Sequence, residues 1–530
     1  MNVAMNADQY DAIVIGSGIG SLAAAALLAR QRKMRVLVLE QHFTVGGQTH
    51  EFKRKGRYEF DVGLHYVGEM DHGEVKAAVD YLTDGQVQWQ KLPDDLDRFV
   101  YPDFEFAVPS DEARYRQRLV ERYPAERAAI EQYFRDLKKA ARWFGLALLD
   151  DALPAPLRLP MRWAFRRYGK PAALTLKEYL DTHFQDGRLK ALLASQWGAY
   201  GLPPAKSAFG MHALVAGCFM RGGWYPVGGA KQIARAIVPG IERCGGRVLS
   251  GRTVTEIIVE NGCAVGVRTT ATLKPKLPPV EYRAPWVISG AGAATTYLKL
   301  LPARIDIPFR EALAALPSGT SAVTVYVGFK GTPEKLGVHG ENIWAFDSYD
   351  HDDTADSADL TQGYFLSFAS LHNRQARAHT AQIIAFVKHE HFARWAGGRW
   401  KRRGAEYEAF KQELAQRLIA KVERRLPGFA DLIAYVDVST PLTMAQFQGN
   451  PRGEFYGVPA TPDRLFQPWT RVRSPIRNLY LTGSDVMSAG VMGAMMGGVK
   501  TAGVLMGPFG FFRLMGAMIR EARTAPSPRT

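Results

Sequence analysis

The segment from Asp11 to Glu40 constrains the fold of this chain more than any other part of the sequence. An apolar run, AIVI, ends in Gly16-Ser17-Gly18, a helix rich in small residues follows, and a second apolar run ends in the acid Glu40. This order predicts a strand, a tight turn, a helix and a second strand. Gly16 is expected to make the turn, and Gly18 to let a pyrophosphate approach the helix N-terminus, where free N–H groups favour anions. Glu40 is placed to accept the ribose hydroxyls of an adenosine, so the segment predicts a dinucleotide site.

The fingerprint departs from its usual form at one position. Gly20 is present, but Ser21 stands where a third glycine is common. A small side chain still allows the helix and the strand to approach closely, so we interpret Ser21 as a tolerated departure and expect both residues to belong to the site. The alternative is a glycine-rich turn without a nucleotide, and the complete order of strand, helix, strand and acid argues against it.

Two further elements indicate that the dinucleotide is FAD. Gln41 and the pair Gly46-Gly47 follow the acid, and flavoproteins use such a pair to pass the chain close to FAD, whereas a typical NAD enzyme has no need of it. Near the other end, an apolar run leads through Gly483 to Asp485 and a helix rich in glycine and alanine. Asp485 is expected to bind a ribityl hydroxyl, and this helix N-terminus to face the pyrophosphate or the flavin carbonyl. Both ends of the chain are therefore predicted to close one FAD domain.

These motifs also identify a relationship. The chain resembles the retinol saturase and carotenoid isomerase branch of the phytoene-desaturase-like flavoproteins, from about Tyr10 to Gly503. The resemblance implies further cofactor contacts at Val254, Gly290 and Val486. It rests on the segments Glu40–Gly47, Phe60–Gly68, Tyr200–Gly201, Ser207–Ala213, Gly222–Gly229 and Leu481–Val486.

Three residues are candidates for proton transfer. The resemblance places the turn Asp61–Gly63 beside the isoalloxazine, so His65 and Tyr66, which follow it, become candidate acids or bases. Tyr225 is the third candidate, because it follows a Gly-Gly pair at the domain crossover. The alternative for His65 is that it packs within its own turn.

The resulting hypothesis is an FAD-dependent oxidoreductase that adds or removes hydrogen across a C=C bond of a long apolar lipid of the retinoid, carotenoid or prenyl type. The family implied by the resemblance contains dehydrogenases, isomerases and a saturase, so a carotenoid or acyl-lipid desaturase or isomerase is the alternative. A flavin-binding lipid carrier is the alternative without catalysis. No second nucleotide fingerprint and no metal site are predicted, and the electron donor or acceptor and a homodimer are left open.

The net charge of +15 requires a separate explanation. No nucleic-acid-binding module is recognised, so nucleic acid is not an expected partner. Basic residues alternate with large apolar ones in Leu153–Lys170 and border the apolar run Val504–Ile519, a pattern typical of segments in the headgroup region of a membrane. No apolar run reaches the roughly 18 to 20 residues that span a bilayer. Met1–Asp8 is short and polar, which predicts no signal peptide. We therefore expect a cytoplasmic protein peripheral to the inner face of a membrane; the alternative is that these segments pack on the protein or on a second subunit.

The predicted fold class is α/β, with a Rossmann-type FAD-binding domain assembled from both chain ends, a mixed-sheet substrate domain and a helical membrane-facing subdomain. The FAD-binding domain is expected to comprise residues 1–95, 221–296 and 455–505. Residues 96–220 are expected to form the helical lid, and residues 297–454 the substrate-binding domain. Residues 506–530 would be an apolar and basic tail.

Overall fold

A computed structural model describes residues 10–524. The prediction for Met1–Asp8 and the last six residues of the predicted tail lie outside this range. The strands, in chain order, are β1 (Ala12–Ile15), β2 (Val36–Leu39), β3 (Glu51–Arg54), β4 (Tyr58–Asp61), β5 (Trp89–Lys91), β6 (Asp95–Val100), β7 (Glu105–Pro109), β8 (Trp224–Pro226), β9 (Arg247–Leu249), β10 (Arg252–Glu260), β11 (Cys263–Ala271), β12 (Val280–Arg283), β13 (Trp286–Ser289), β14 (Ser321–Phe329), β15 (Asn342–Phe346), β16 (Gly363–Ser367), β17 (Thr380–Val387), β18 (Ile433–Ser439) and β19 (Leu479–Leu481).

Short 3-10 turns link many of the α-helices. The helices are α1 (Ile19–Arg32), α2 (Glu74–Thr83), α3 (Glu112–Arg122), α4 (Arg127–Leu148), α5 (Ala155–Tyr168), α6 (Leu176–His183), α7 (Gly187–Ala194), α8 (Phe209–Cys218), α9 (Lys231–Glu242), α10 (Ala293–Thr295), α11 (Arg310–Ala314), α12 (His351–Asp356), α13 (Ala369–His372), α14 (Ala405–Arg425), α15 (Pro441–Gln448), α16 (Val491–Leu505) and α17 (Gly510–Thr524).

The first sheet is parallel and has the order β19-β13-β1-β2-β9. Strands β1 and β2 are buried along their whole length, which explains why both read as unbroken apolar runs rather than as alternating patterns. Helix α1 packs against α16 from the far end of the chain, and Ile19 together with seven of its alanine and leucine side chains belongs to the core that also contains α16. The α/β prediction is confirmed, and the sheet draws its strands from both ends of the chain.

The second large sheet is mixed and has the order β18-β14-β17-β16-β15-β6-β7. All its strand pairs are antiparallel except β15 with β6. Helix α14 packs its apolar residues, among them Tyr407, Leu414 and Leu418, into the core under this sheet. The strands β6 and β7 belong to the segment 96–220 that the sequence predicts as a helical lid. A boundary at residue 96 would therefore divide this sheet, which includes β6 from Asp95 onward, whereas the helices of the segment begin with α3; the division into domains stays a prediction.

The C-terminal helix α17 is not a free tail. Phe511, Leu514, Met515 and Met518 are buried in the same core as α1, and the helix packs on α2 and α16. For this segment the alternative interpretation, packing on the protein, describes the structure. Its apolar residues therefore stabilise the first domain.

Candidate active site

One large cavity lies between the two sheets. Its volume is about 1160 Å³, which exceeds the roughly 300–1,000 Å³ of a pocket for a drug-sized ligand. One end is lined by the turn between β1 and α1, and the other by aromatic and aliphatic side chains. The cavity therefore has room for a dinucleotide and for a second, apolar molecule.

Glu40 is held in place at the edge of the parallel sheet. One carboxylate oxygen, Oε2, accepts hydrogen bonds from the backbone N and the Oγ of Ser17, each at 2.7 Å. The other, Oε1, accepts a bond from the backbone N of His42 at 2.6 Å. A carboxylate oxygen accepts more than one hydrogen bond, so the acid keeps capacity toward a ribose hydroxyl. Glu40 and its neighbour Gln41, whose amide donates to the Phe447 carbonyl at 3.2 Å, both line the cavity.

The glycine pair lies directly against the nucleotide turn. Gly47 has a φ of +55°, and a Cβ added there would lie 2.8 Å from the Cα of Gly18. Gly46 forms an isolated β-bridge with Gly18 and donates its N–H to the Oγ of Ser17 at 3.1 Å. Gly47 lines the cavity and Gly46 lies behind it. A side chain on Gly47 would therefore push the turn away from its position.

The turn between β1 and α1 combines open space with close packing. A Cβ on Gly18 would have nothing within 4 Å, whereas one on Gly20 would lie 2.5 Å from the carbonyl oxygen of Ala494 and 2.6 Å from the Cα of Gly483. Gly20 is therefore the position where α1 meets α16. The Oγ of Ser21 occupies the space that a Cβ on Gly290 would need. Gly290, directly after β13, therefore makes room for the serine that stands where the fingerprint usually has its third glycine.

Asp485 joins three segments at the second motif. Its Oδ2 accepts a bond from the backbone N of Ala293 at 2.7 Å, and its Oδ1 one from the backbone N of Val458 at 2.8 Å. Asp485 lines the cavity and is buried, whereas Val486 lies behind it and does not line it. Val254 and Gly290 line the cavity, and their contact with the cofactor stays a prediction.

These residues fit FAD. Gly18, Gly483 and Gly490 all leave open space where a Cβ would be, which lets a ligand approach the backbone. The first turns of α1 and α16 line the cavity, and the N–H groups of a first helical turn have no partner within their own helix. When bound, FAD supplies hydride chemistry, and the protein supplies orientation, exclusion of water and proton transfer.

The apolar end of the cavity contains few polar groups. Trp344 and Phe365 pack with ring centroids 4.6 Å apart, and Trp344 stacks on Phe386 at 6.2 Å. This end is lined by Leu214, Val215, Phe219, Trp344, Phe365, Ile384, Phe386, Phe455 and Tyr456.

His65 lines this end, and its ring meets the edge of Phe365 at 5.1 Å. Its Nδ1 is buried and has no hydrogen-bond partner among the described residues. Burial, with a smaller effect of His372, lowers the pKa of His65 to about 3. The imidazole is therefore neutral near pH 7, which favours a hydrogen-bonding role over that of a charged acid.

Tyr66 lines the same end and has a buried partner. Its hydroxyl donates to the Oδ2 of Asp97 at 3.2 Å, and its ring packs on Phe219 at 4.6 Å. Burial and the nearby carboxylate raise the pKa of Tyr66 well above its ordinary value. The phenol is therefore protonated and holds a proton at the surface of the cavity.

Tyr225 occupies a different place from the other two candidates. It is buried, its hydroxyl donates to the Oδ2 of Asp61 at 2.6 Å, and it does not line the cavity. Strand β8, which carries it, pairs with β5 instead of reaching the aromatic end. Tyr225 therefore does not line this cavity, and its hydrogen bond contacts the turn that precedes His65; its part in proton transfer stays a prediction.

Sequence reasoning missed two buried polar groups near the cavity. Asp97 lies inside a strand that reads as part of an ordinary polar segment, and no local motif marks it. Arg464 is buried and donates to the carbonyl oxygens of Val458, Ser484 and Asp485, which fixes the second FAD motif. Both are visible only once distant segments are brought together.

The fold and the two motifs define an FAD-dependent oxidoreductase. The chain belongs to the flavin containing amine oxidoreductase family, whose profile matches residues 22–506. It is similar to the all-trans-retinol 13,14-reductase of Danio rerio, with 33% identity over 529 residues that cover 94% of this chain and 86% of that protein. It is also similar to prolycopene isomerase 2 of an Oncidium hybrid cultivar, with 27% identity covering 95% of this chain and 85% of that protein.

Solved structures agree on the fold. A redesigned putrescine oxidase matches with a TM-score of 0.66 and 15% identity, over 94% of this chain and 99% of that one. At this identity the match speaks for the fold alone. The resemblance to the retinol saturase and carotenoid isomerase branch, and FAD as cofactor, are confirmed.

Proposed function

We propose that this protein adds hydrogen across a C=C bond of a long apolar polyene of the retinoid or carotenoid type, using reduced FAD as the hydride source. The observation that carries the proposal is the single continuous cavity, with the FAD motifs at one end and aromatic walls at the other. An apolar chain gains free energy from burial against such walls, by roughly 25 cal/mol per Å² of apolar surface. The relative named as a 13,14-reductase of retinol supports this reaction class.

Within this reaction the chain's own residues have distinct tasks. The FAD contacts proposed here are Gly16, Gly18, Gly20, Ser21, Glu40, Gln41, Gly47, Val254, Gly290, Gly483 and Asp485, all of which line the cavity. Gly46 and Val486 support them from behind. Tyr66 donates the proton to the carbon that does not receive the hydride, and His65 hydrogen-bonds a polar group of the substrate.

Isomerisation is the second candidate, because the relative named prolycopene isomerase covers the chain as fully as the reductase does. One experiment separates the candidates. The anaerobic, photoreduced holoenzyme is incubated with all-trans-retinol and, separately, with a poly-cis carotenoid, and the extracts are analysed by chromatography and mass. A gain of two hydrogens supports reduction, and an unchanged mass with altered retention indicates isomerisation. Loss of two hydrogens with oxidised holoenzyme indicates desaturation, and bound but unchanged lipid indicates a carrier.

We also propose that α5 lies on an anionic membrane surface. Leu157, Leu159 and Trp163 project from it, with 44%, 76% and 65% of their surfaces exposed. Arg166 and Arg167 are exposed on the same helix, and cations beside large apolar side chains suit the headgroup region. No described helix is long and apolar enough to cross a bilayer. The exposed face of α5 would let the protein take up a lipid substrate directly from a bilayer. We further propose that the protein is cytoplasmic and lies at the inner face of a membrane.

The membrane proposal is tested by flotation with liposomes. The double substitution Leu159→Ser and Trp163→Ser is expected to reduce recovery with anionic vesicles several-fold. Leu273→Ser is the control, because Leu273 is 81% exposed in the connection between β11 and β12 and does not belong to α5. Equal recovery of the parent protein with and without anionic lipid would contradict the proposal.

A further inference from the structure

A second, small cavity lies behind the aromatic end of the large one. Its volume is about 20 Å³, and Phe219 lines both cavities. A space of this size is enough for one water molecule, since roughly 10–15 Å³ suffices when polar partners are present. Its polar lining comes from Asp97, Tyr115, Tyr133, Gln196 and His212.

Asp97 lies between the two cavities and is completely buried. Its Oδ2 accepts bonds from the Tyr66 hydroxyl at 3.2 Å and from Nε2 of Gln196 at 2.9 Å. Its Oδ1 accepts bonds from Nε1 of Trp344 at 3.2 Å and from Nδ2 of Asn342 at 3.4 Å. Tyr66 and Trp344 line the large cavity, and Gln196 lines the small one. The carboxyl group is thus the polar connection between the substrate side and the enclosed water-sized space.

The four donors are uncharged, and no ion pair to Asp97 is found among the described residues. The other groups that face it from the surrounding helices are Tyr115 on α3, Tyr133 on α4 and His212 on α8. Burial lowers the pKa of His212 to about 3, so this ring is neutral. A buried carboxylate without a cation is costly, and burial accordingly raises the pKa of Asp97 to about 6. The carboxyl group is therefore mostly protonated at pH 5 and mostly ionised at pH 8.

We propose that Asp97 is a positioning residue that aligns Tyr66 and resupplies its proton during reduction of the C=C bond. The inference rests on the proposed function. When bound, reduced FAD would supply a hydride, with its electron pair, to one carbon of the C=C bond. The O–H bond of Tyr66 breaks as a C–H bond forms at the other carbon. The proton of the Asp97 carboxyl group then moves to the phenolate oxygen, and the carboxylate regains a proton through the small cavity. Charge and electrons balance without a further reductant.

Infrared difference spectroscopy tests, without turnover, whether the carboxyl group of Asp97 is protonated. The holoenzyme titrated between pH 5 and pH 8 is expected to lose a carbonyl band of a buried protonated carboxyl group, with a midpoint near pH 6. The Asp97→Asn variant is expected to lack this band. Absence of any band that depends on Asp97 in the parent protein at pH 5 overturns the inference, whatever the substrate of the enzyme is.

Turnover per bound FAD tests the link to Tyr66. The parent kcat is expected to fall as pH rises through about 6. Asp97→Asn is expected to lower kcat roughly 10- to 100-fold and to change KM by no more than about threefold. It should also remove the fall in kcat above about pH 6, the pH limb. Tyr66→Phe is expected to lower kcat by roughly 10² to 10⁴-fold. The double variant should be no slower than Tyr66→Phe, because both residues act in one step.

If Asp97→Asn does not fold, Tyr66→Phe alone still tests the relay, because it must remove the same pH limb. A limb that persists in either folded variant overturns the inference while leaving the proposed reaction intact. A parent enzyme that reduces no polyene defeats the proposed function and the relay's role in it, whereas the infrared titration still reports on Asp97 itself.

Discussion

The ammonium group of Lys500 lies 2.6 Å from the Oδ1 of Asp151, with both side chains buried, and joins the flavin-side helix α16 to the segment that leads into the exposed helix α5. Lys500 also donates to the carbonyl oxygens of Leu148 and Val486 at 2.6 and 2.7 Å. Oδ2 of Asp151 accepts a bond from the backbone N of Val472. This buried ion pair thus joins three segments: the second FAD motif at Val486, the end of α4 at Leu148 and the segment around Val472.

Substituting one partner of this pair should be strongly destabilising. Lys500→Met leaves the Asp151 carboxylate buried without a cation, which typically costs about 3–5 kcal/mol. The midpoint of chemical unfolding of the holoenzyme measures the loss. The double variant Lys500→Met and Asp151→Asn should recover part of it, because the uncompensated charge is gone. A single variant as stable as the parent would show that the pair adds nothing to stability.

The contact between α1 and α16 predicts a specific sensitivity at Gly20. Gly20→Ala places a Cβ against the carbonyl of Ala494 and the Cα of Gly483, both backbone atoms that cannot rotate away. We expect FAD retention to fall at least tenfold, measured by fluorescence titration of the apoprotein. Gly145→Ala is the matched control on α4, where a Cβ would have nothing within 4 Å, and it should bind FAD normally and be more stable by about 0.5–1 kcal/mol.

Glu40 should control affinity for the adenosine part of FAD. Glu40→Arg removes the acceptor and sets a cation beside Ser17, whose N–H and hydroxyl then lose their partner. We expect most of the FAD to be lost on gel filtration, with the released flavin identified by chromatography. Retention equal to that of the parent would remove Glu40 from the site.

Acid should destabilise the folded protein through its buried and half-buried histidines. Burial lowers the pKa of His42, His351 and His372 to about 4, and of His65 and His212 to about 3. In the unfolded chain a histidine binds its proton near pH 6.5, so between about 6.5 and 4 the unfolded state binds more protons and stability falls as pH falls. Asp61 and Asp97, whose pKa values are raised to about 8 and about 6, act in the opposite direction but are fewer.

A thermal melt series from pH 7 to pH 4.5 measures this effect, and Tm should decline steadily. The variant His212→Gln loses one such histidine, so its Tm should change less over the same range, even if it starts lower because the bonds to Tyr133 and Tyr200 are weakened. A Tm that rises toward pH 4.5 would show that the carboxyl groups outweigh the histidines.

The first FAD motif was predictable because its information is local. The order of strand, glycine turn, helix and acid from Ala12 to Glu40 appears directly in the sequence, since parallel buried strands read as short apolar runs. The strand Ser321–Phe329 was also predictable, because it is buried along its whole length, although both of its neighbouring strands are antiparallel. By contrast, β6 joins β15, almost 250 residues later, and nothing near residue 95 encodes that pairing.

The parts of the candidate site that sequence reasoning missed depend on long-range contacts. Asp97 acquires its chemistry from Gln196, Asn342 and Trp344, which come from three distant segments. For α17, amphipathicity marks an apolar face, but only the tertiary structure shows that α2 and α16 cover it. The same pattern on α5 is not covered, and Leu159 and Trp163 remain exposed.

The sequence offers both His65 and Tyr66 as proton donors, and the structure distinguishes between them. Both His65 and Tyr66 follow the same turn, but His65 is neutral near pH 7 and Tyr66 is a protonated phenol backed by a carboxyl group. We expect His65→Gln to keep FAD and to lower turnover per bound FAD less than tenfold, chiefly through KM, because glutamine still offers a hydrogen bond to the substrate. Tyr66→Phe should lower kcat by roughly 10² to 10⁴-fold at unchanged FAD content. Stopped-flow oxidation of the reduced flavin by the polyene measures both variants in one assay. If His65→Gln abolishes kcat and Tyr66→Phe does not, the histidine is the proton donor despite its low pKa.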